Sequence, residues 1–184
     1  VTRHDLFLLA VALLPPACPA ACWMPDPPRS DVRFIAIQAG APIEGTFHEF
    51  SGRICLDDAS PEQGSINVSI NTASVDMGLP EFDEAMRGAE FFDAARWPVA
   101  RFDSTAVRTL GGGHYEAEGR FTIRDRTRDI VVPFTFSGTD DGAVVAGEIV
   151  IRRLDYDIGL GEWQDTRWVG NDVTLHFRVA LRPE

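Results

Sequence analysis

The chain has 184 residues, 45% apolar and 24% charged. These are the proportions of one soluble globular domain with room for a targeting segment, not of a disordered, collagen-like or disulfide-stapled chain. A formal net charge of −11, with 28 acidic residues against 17 basic ones that are all Arg, argues against a nucleic acid or an anionic membrane surface held by bulk charge.

At the start, Arg3 and His4 precede the apolar run Leu6 to Leu14, and small residues follow around Pro19, Ala20 and Ala21. This is the layout of an export signal, and the run is too short to span a membrane. Residues 1–21 are therefore assigned to a signal peptide and 22–184 to one β domain, placing the mature protein in the periplasm or outside the cell. A lipid anchor on Cys18 or Cys22 is the alternative. Cys18, Cys22 and Cys55 lack zinc-site spacing. A Cys22–Cys55 bridge suits an oxidising compartment but does not follow from spacing.

Sixteen Gly, twelve Phe and the lack of a long helical period point to a β-rich fold. From Trp23 onward, alternating segments predict strands at about 32–38, 43–56, 65–71, 98–108, 114–123, 129–137, 143–153 and 173–181, the second bent or broken near Gly52. In 65–71, Ile66, Val68 and Ile70 share one face; in the last strand Val173, Leu175, Phe177, Val179 and Leu181 do. Turn residues at Gly111 to Gly113, Asp140-Asp141-Gly142 and Gly159 to Gly161 separate segments. About eight antiparallel strands are enough to close a barrel. Between 79 and 92, Leu79, Phe82, Ala85, Met86 and Ala89 recur at helical spacing, with Pro80 in the first turn and Gly88 near the end. One short helix is expected there, near one mouth of the barrel.

Chemistry-bearing motifs are sparse. The four His are scattered, and His48 lacks a second His one helical turn away. No phosphate-binding Gly loop and no nucleophile elbow occurs. Asp57-Asp58, Asp140-Asp141 and Asp155 to Asp157 fall at turns, where solvation explains them. Arg120, Arg124, Arg126 and Arg128, interrupted by Asp125 and Asp129, read as a solvated hairpin with local ion pairs. No catalytic residue, metal or cofactor is assigned. What stands out is aromatic content on alternating segments, which either fills a small barrel or lines a ligand cavity. Pattern alone favours the filled core.

The stretch Ile43-Glu44-Gly45-Thr46-Phe47-His48-Glu49-Phe50-Ser51-Gly52, then Ile70-Asn71-Thr72-Ala73-Ser74-Val75-Asp76, resembles the YceI-like family of bacterial lipid-binding proteins. Asp83, Met86-Arg87-Gly88-Ala89-Glu90-Phe91-Phe92-Asp93, Trp97-Pro98-Val99-Ala100-Arg101-Phe102 and Asp155-Tyr156-Asp157-Ile158-Gly159 continue the likeness in order. It departs where Asp26-Pro27-Pro28-Arg29-Ser30 stands for the family's Asp-Pro-x-His-Ser element, and where Met86 replaces a common Leu. The resemblance implies an all-β, eight-stranded, extended antiparallel, lipocalin-like barrel that holds a polyisoprenoid lipid or isoprenoid quinone, non-enzymatically, in an elongated pocket. This reverses the filled-core expectation. The tail is then expected on Phe34, Phe47, Ile66, Val68, Ile70, Phe102, Phe121, Phe134, Phe136 and Phe177, with Leu79, Phe82, Met86 and Phe91 at the entrance. A membrane donor or acceptor of the lipid and a homodimer stay open. Two rivals remain: an enzyme on an apolar substrate using Asp83, Glu84 or His48, and a filled barrel contacting a membrane redox partner.

Overall fold

Alternation of apolar and polar residues becomes strand along most of the chain. The computed structural model describes residues 21–56, 61–139 and 142–184. Residues 1–20 of the expected signal segment, with Cys18, and the pairs Asp57-Asp58 and Asp140-Asp141 lie outside the described residues. In chain order the elements are β1 (Ala21–Pro25), β2 (Asp31–Gln38), β3 (Ala41–Phe47), β4 (Phe50–Leu56), β5 (Ser65–Asn71), β6 (Val75–Asp76), α1 (Pro80–Arg87), β7 (Val99–Gly111), β8 (His114–Ile123), β9 (Arg126–Thr139), β10 (Gly142–Arg152) and β11 (Asp172–Pro183).

All strand pairings are antiparallel. The ring β1-β4-β5-β7-β8-β9-β10-β11 closes through β11 on β1, giving the expected eight-stranded barrel. β2, β3 and β6 are not extra walls. β11 pairs with β2 through Thr174 to Arg178 and with β1 through Leu181 to Pro183, so β1 and β2 are halves of one interrupted strand. β3 with β4, and β5 with β6, are interrupted in the same way. Such irregularities bend a wall and increase its twist, which closure of a small barrel needs.

The break in the second long strand falls at His48-Glu49 and not near Gly52. There the backbone leaves the ladder because His48 N donates to Ser74 O and Glu49 N to Ser74 Oγ. Gly52 sits inside β4 opposite Val68. β1 is not among the expected strands because it abuts the expected signal segment and runs into Pro25 and Pro27.

The helix is also shorter than 79–92. Pro80 starts it, and at Gly88 the chain becomes extended, so the turns at 88–94 are held by separate bonds such as Phe92 N to Met86 O and Ala94 N to Arg87 O. Arg87 donates to Ala73 O and Val75 O, fastening the helix over β6.

A disulfide joins Cys22 in β1 to Cys55 in β4, which face each other in the ladder. β1 is only five residues long, so the bridge reinforces its weakest seam. Removing it frees a loop spanning a sequence separation of 33, at a cost of roughly 4 kcal/mol. Cys22→Ser is expected to lower the urea midpoint to that of the wild type under reductant. Identical midpoints for variant and oxidised wild type would show that the bridge adds no stability.

Candidate functional site

Inward residues of a filled barrel are uniformly buried. Here they are not: Phe34, Ile54, Phe121 and Phe134 are buried, whereas inward Val68, Ile70, Val132, Ile149, Leu175 and Phe177 keep partial exposure. They face an internal cavity of about 220 Å³, on the order of fifteen times the space that admits one water. Its wall is almost wholly apolar, contributed by every strand position of the ring and by α1 and the loops beside it. A cavity of this character disfavours water and suits an apolar guest.

The two ends differ. At the end where β1 lies, Trp23 packs on Phe136 with ring centroids 4.9 Å apart, and Tyr115 stacks on Phe134 at 5.4 Å and meets Phe136 edge-on at 6.4 Å. These rings form a floor beside the Cys22–Cys55 bridge. At the other end the cavity reaches Met86 of α1, Phe91 and Phe92 after it, and Ile158 and Val169 in the loop between β10 and β11. Phe34, Phe47 and Phe92 form an aromatic cluster there. A sheet wall cannot open without losing ladder hydrogen bonds; a roof of loops and one short helix can. The helix end is therefore the mouth.

Most of the expected tail residues meet around the cavity: Phe34 from β2, Phe47 from β3, Ile66, Val68 and Ile70 from β5, Phe102 from β7, Phe121 from β8, Phe134 from β9 and Phe177 from β11. Met86 and Phe91 line its mouth end. Three of the residues do not line it. Phe136 points inward but is taken up by the aromatic floor. Leu79 and Phe82 are 47% and 50% exposed, because α1 buries no residue and lays only its Met86 side over the cavity. Phe50, Ile130, Val132, Val145 and Ile149 also line it and were not singled out. Ile130 and Val132 share the strand parity of Phe134 in β9, a signal that aromatic content alone does not carry.

Two arginines hold the roof. Arg124 is not part of a solvated hairpin: its side chain is 10% exposed, and Nη1 donates to the carbonyls of Ala89, Phe91 and Asp157 at 2.7–3.1 Å. Arg126 is the exposed ion-pair former, 2.7 Å from Asp157. Arg153, 2% exposed, gives Nε to Gly170 O, Nη1 to Ile158 O and Gly159 O, and Nη2 to Trp163 O and Val169 O. Burial lowers its pKa from the ordinary arginine value. It lines the cavity, yet its donors are all engaged by backbone, so it has none to spare for a guest. Beside it Tyr156 packs edge-on against Phe121, and burial pushes its phenol up to about 12. Glu90 ties the two halves of the roof, accepting from Trp163 Nε1 and, at its carbonyl, from Gly159 N and Leu160 N.

The acid–base candidates stand elsewhere. Asp83 accepts from Met77 N and His48 bonds to Asp76, holding that carboxyl below its ordinary value. Neither these nor Glu84 lines the cavity. Among the described residues no three His, Cys, Asp or Glu side chains gather as metal ligands.

A model of the YceI-like domain matches residues 23–181. The chain belongs to the YceI-like family. It is 31% identical over 176 residues to a UPF0312 protein of Vibrio cholerae, covering 92% of each chain. With a UPF0312 protein of Ectopseudomonas mendocina the identity is 32%, but the match spans only 64% of that relative's length, and with one of Azotobacter vinelandii 50%. Among solved structures, BcnA of Burkholderia cenocepacia superposes with a TM-score of 0.82 at 32% identity, covering 85% of this chain and 98% of that one. A protein described as a polyisoprenoid binding domain from Saccharophagus degradans shares the fold at a TM-score of 0.71 and 15% identity, covering 90% and 99%.

Proposed function

We infer that this YceI-like barrel binds an isoprenoid lipid or an isoprenoid quinone and sequesters or carries it without chemical change. The observation that carries the reading is the apolar cavity running from the aromatic floor to the helix end. Moving hydrocarbon out of water contributes about 0.8 kcal/mol per CH₂, so ten carbons give roughly 8 kcal/mol gross, reduced by ordering of the tail. The likeness to a domain named for polyisoprenoid binding supports the same ligand class.

The chemistry of the walls sets the orientation. Arg153 is fully engaged by backbone, and the other charged residues that touch the wall, Arg33 and His176, pair with Asp31 and Glu44 and with Glu148, so the tail enters first and the head stays at the helix end. Ile37, Leu79, Phe82 and Trp168 are exposed there: Ile37 follows Ala36 and Trp168 precedes Val169, both on the cavity wall. These side chains suit transient contact with the bilayer that gives or receives the lipid. The Cys22–Cys55 bridge supports an oxidising compartment, such as the periplasm, as the working place.

Native mass spectrometry after detergent-free purification tests the reading. A lipid adduct that fragments as an isoprenoid is the expected result. Protein without an adduct, which also takes up no added isoprenoid quinone, would sink it.

A further inference from the structure

Three of the inward glycines share one arrangement. Gly45 stands between the cavity residues Ile43 and Phe47, Gly119 between Ala117 and Phe121, and Gly147 between Val145 and Ile149. Over each lies a phenylalanine ring from the neighbouring strand. A Cβ on Gly45 would come 2.5 Å from Cζ of Phe34, one on Gly119 2.7 Å from Cζ of Phe102, and one on Gly147 2.5 Å from Cζ of Phe177. These separations are far inside ordinary van der Waals contact, about 3.5–4.0 Å between carbons. Each ring therefore lies flat on the wall only because the residue beneath it has no side chain. Phe34 faces Gly45 and Phe177 faces Gly147 directly in the ladder.

We propose that these glycine–ring pairs set the bore of the cavity and make the barrel select methyl-branched chains over unbranched ones. A bore widened by rings folded against the wall accommodates branch methyls. Around a thinner, unbranched chain the same bore leaves gaps, and an atom without a neighbour loses its dispersion energy. The inference rests on the isoprenoid reading above and names what in the walls decides it.

Gly45 is the place to test it. The nearest atoms to an added Cβ there are the ring of Phe34 and Sδ of Met77, ends of side chains that can move, whereas at Gly119 and Gly147 backbone carbonyls also stand in the way. Gly45→Ala should tip the Phe34 ring into the lumen. The probes are phytanol and hexadecanol, alcohols of the same main-chain length that differ only in methyl branches, with binding measured by displacement of a fluorescent fatty probe.

Wild type should prefer phytanol. Gly45→Ala should lower that preference about tenfold, as expected for contacts worth one or two methyl groups, and Gly45→Ala with Phe34→Leu should restore it. Equal preference in wild type and Gly45→Ala, or a loss of both alcohols that the double variant does not restore, would overturn the proposal. Wild type that binds neither alcohol would instead overturn the reading of the site. Should Gly45→Ala not fold, Phe34→Trp narrows the same bore with the glycine intact, and an unchanged preference there would equally overturn the proposal.

Discussion

Val68→Trp is expected to abolish the lipid adduct while leaving a folded barrel. Val68 lies mid-strand in β5, opposite Phe102 of β7, between the inward residues Ile66 and Ile70. Its side chain borders the cavity and stays partly exposed to it. An indole has somewhere to go there: it fills space a tail would occupy. In a filled core the same change would be overpacking, at a cost of about 1–3 kcal/mol or more. The two architectures therefore respond in opposite ways. A hollow barrel loses ligand and melts at the temperature of delipidated wild type; a solid one loses stability and has no ligand to lose. Native mass spectrometry and a thermal melt on the same preparation read both. A variant that retained its full adduct would remove Val68 from the tail's path.

How legible this was from residues alone depends on what kind of signal each feature leaves. Strands with one dry face announce themselves by period two, so β5, β8 and β11 fall where Ile66-Val68-Ile70, Tyr115 to Ile123 and Val173 to Leu181 alternate. Breaks do not. His48-Glu49 leaves the ladder because of partners at Ser74, which is 25 and more positions away, and no local pattern encodes that. Whether a barrel is hollow is likewise invisible to alternation, since a filled and an empty interior need the same inward apolar faces. The information was partly present in Gly45, Gly119 and Gly147 at inward positions, but its meaning depends on which ring lies over each. The helix shows a third case. Period 3.6 identified α1, yet the periodic residues Leu79 and Phe82 face outward, because a roof helix needs only Met86 on the cavity. The roles of Arg124 and Arg153 left no sequence signal: their partners are backbone carbonyls, which every residue carries.

Arg153→Leu is expected to be the most destabilising single change in the roof. The guanidinium supplies hydrogen bonds to five carbonyls, of Ile158, Gly159, Trp163, Val169 and Gly170. These belong to a loop with little regular structure of its own, so the side chain takes the place of a ladder. Leucine packs as well in the apolar surroundings but offers no donor, stranding several buried acceptors at about 1–3 kcal/mol for each that water cannot reach. A loss on the order of 4 kcal/mol is a large part of the stability of a domain this size. Arg153→Lys retains charge but has three donors on a flexible stem and no planar fork, so it should fall between leucine and wild type. The effect should also be local before it is global. Amide hydrogen exchange in residues 153–171 is expected to accelerate first, followed by faster release of lipid through the slackened roof, with β5, β7 and β8 still protected. Uniform acceleration across the sheet would show that the loop unfolds only with the whole barrel. An unchanged urea midpoint for Arg153→Leu would show that water satisfies those carbonyls and that the arginine is dispensable to the roof.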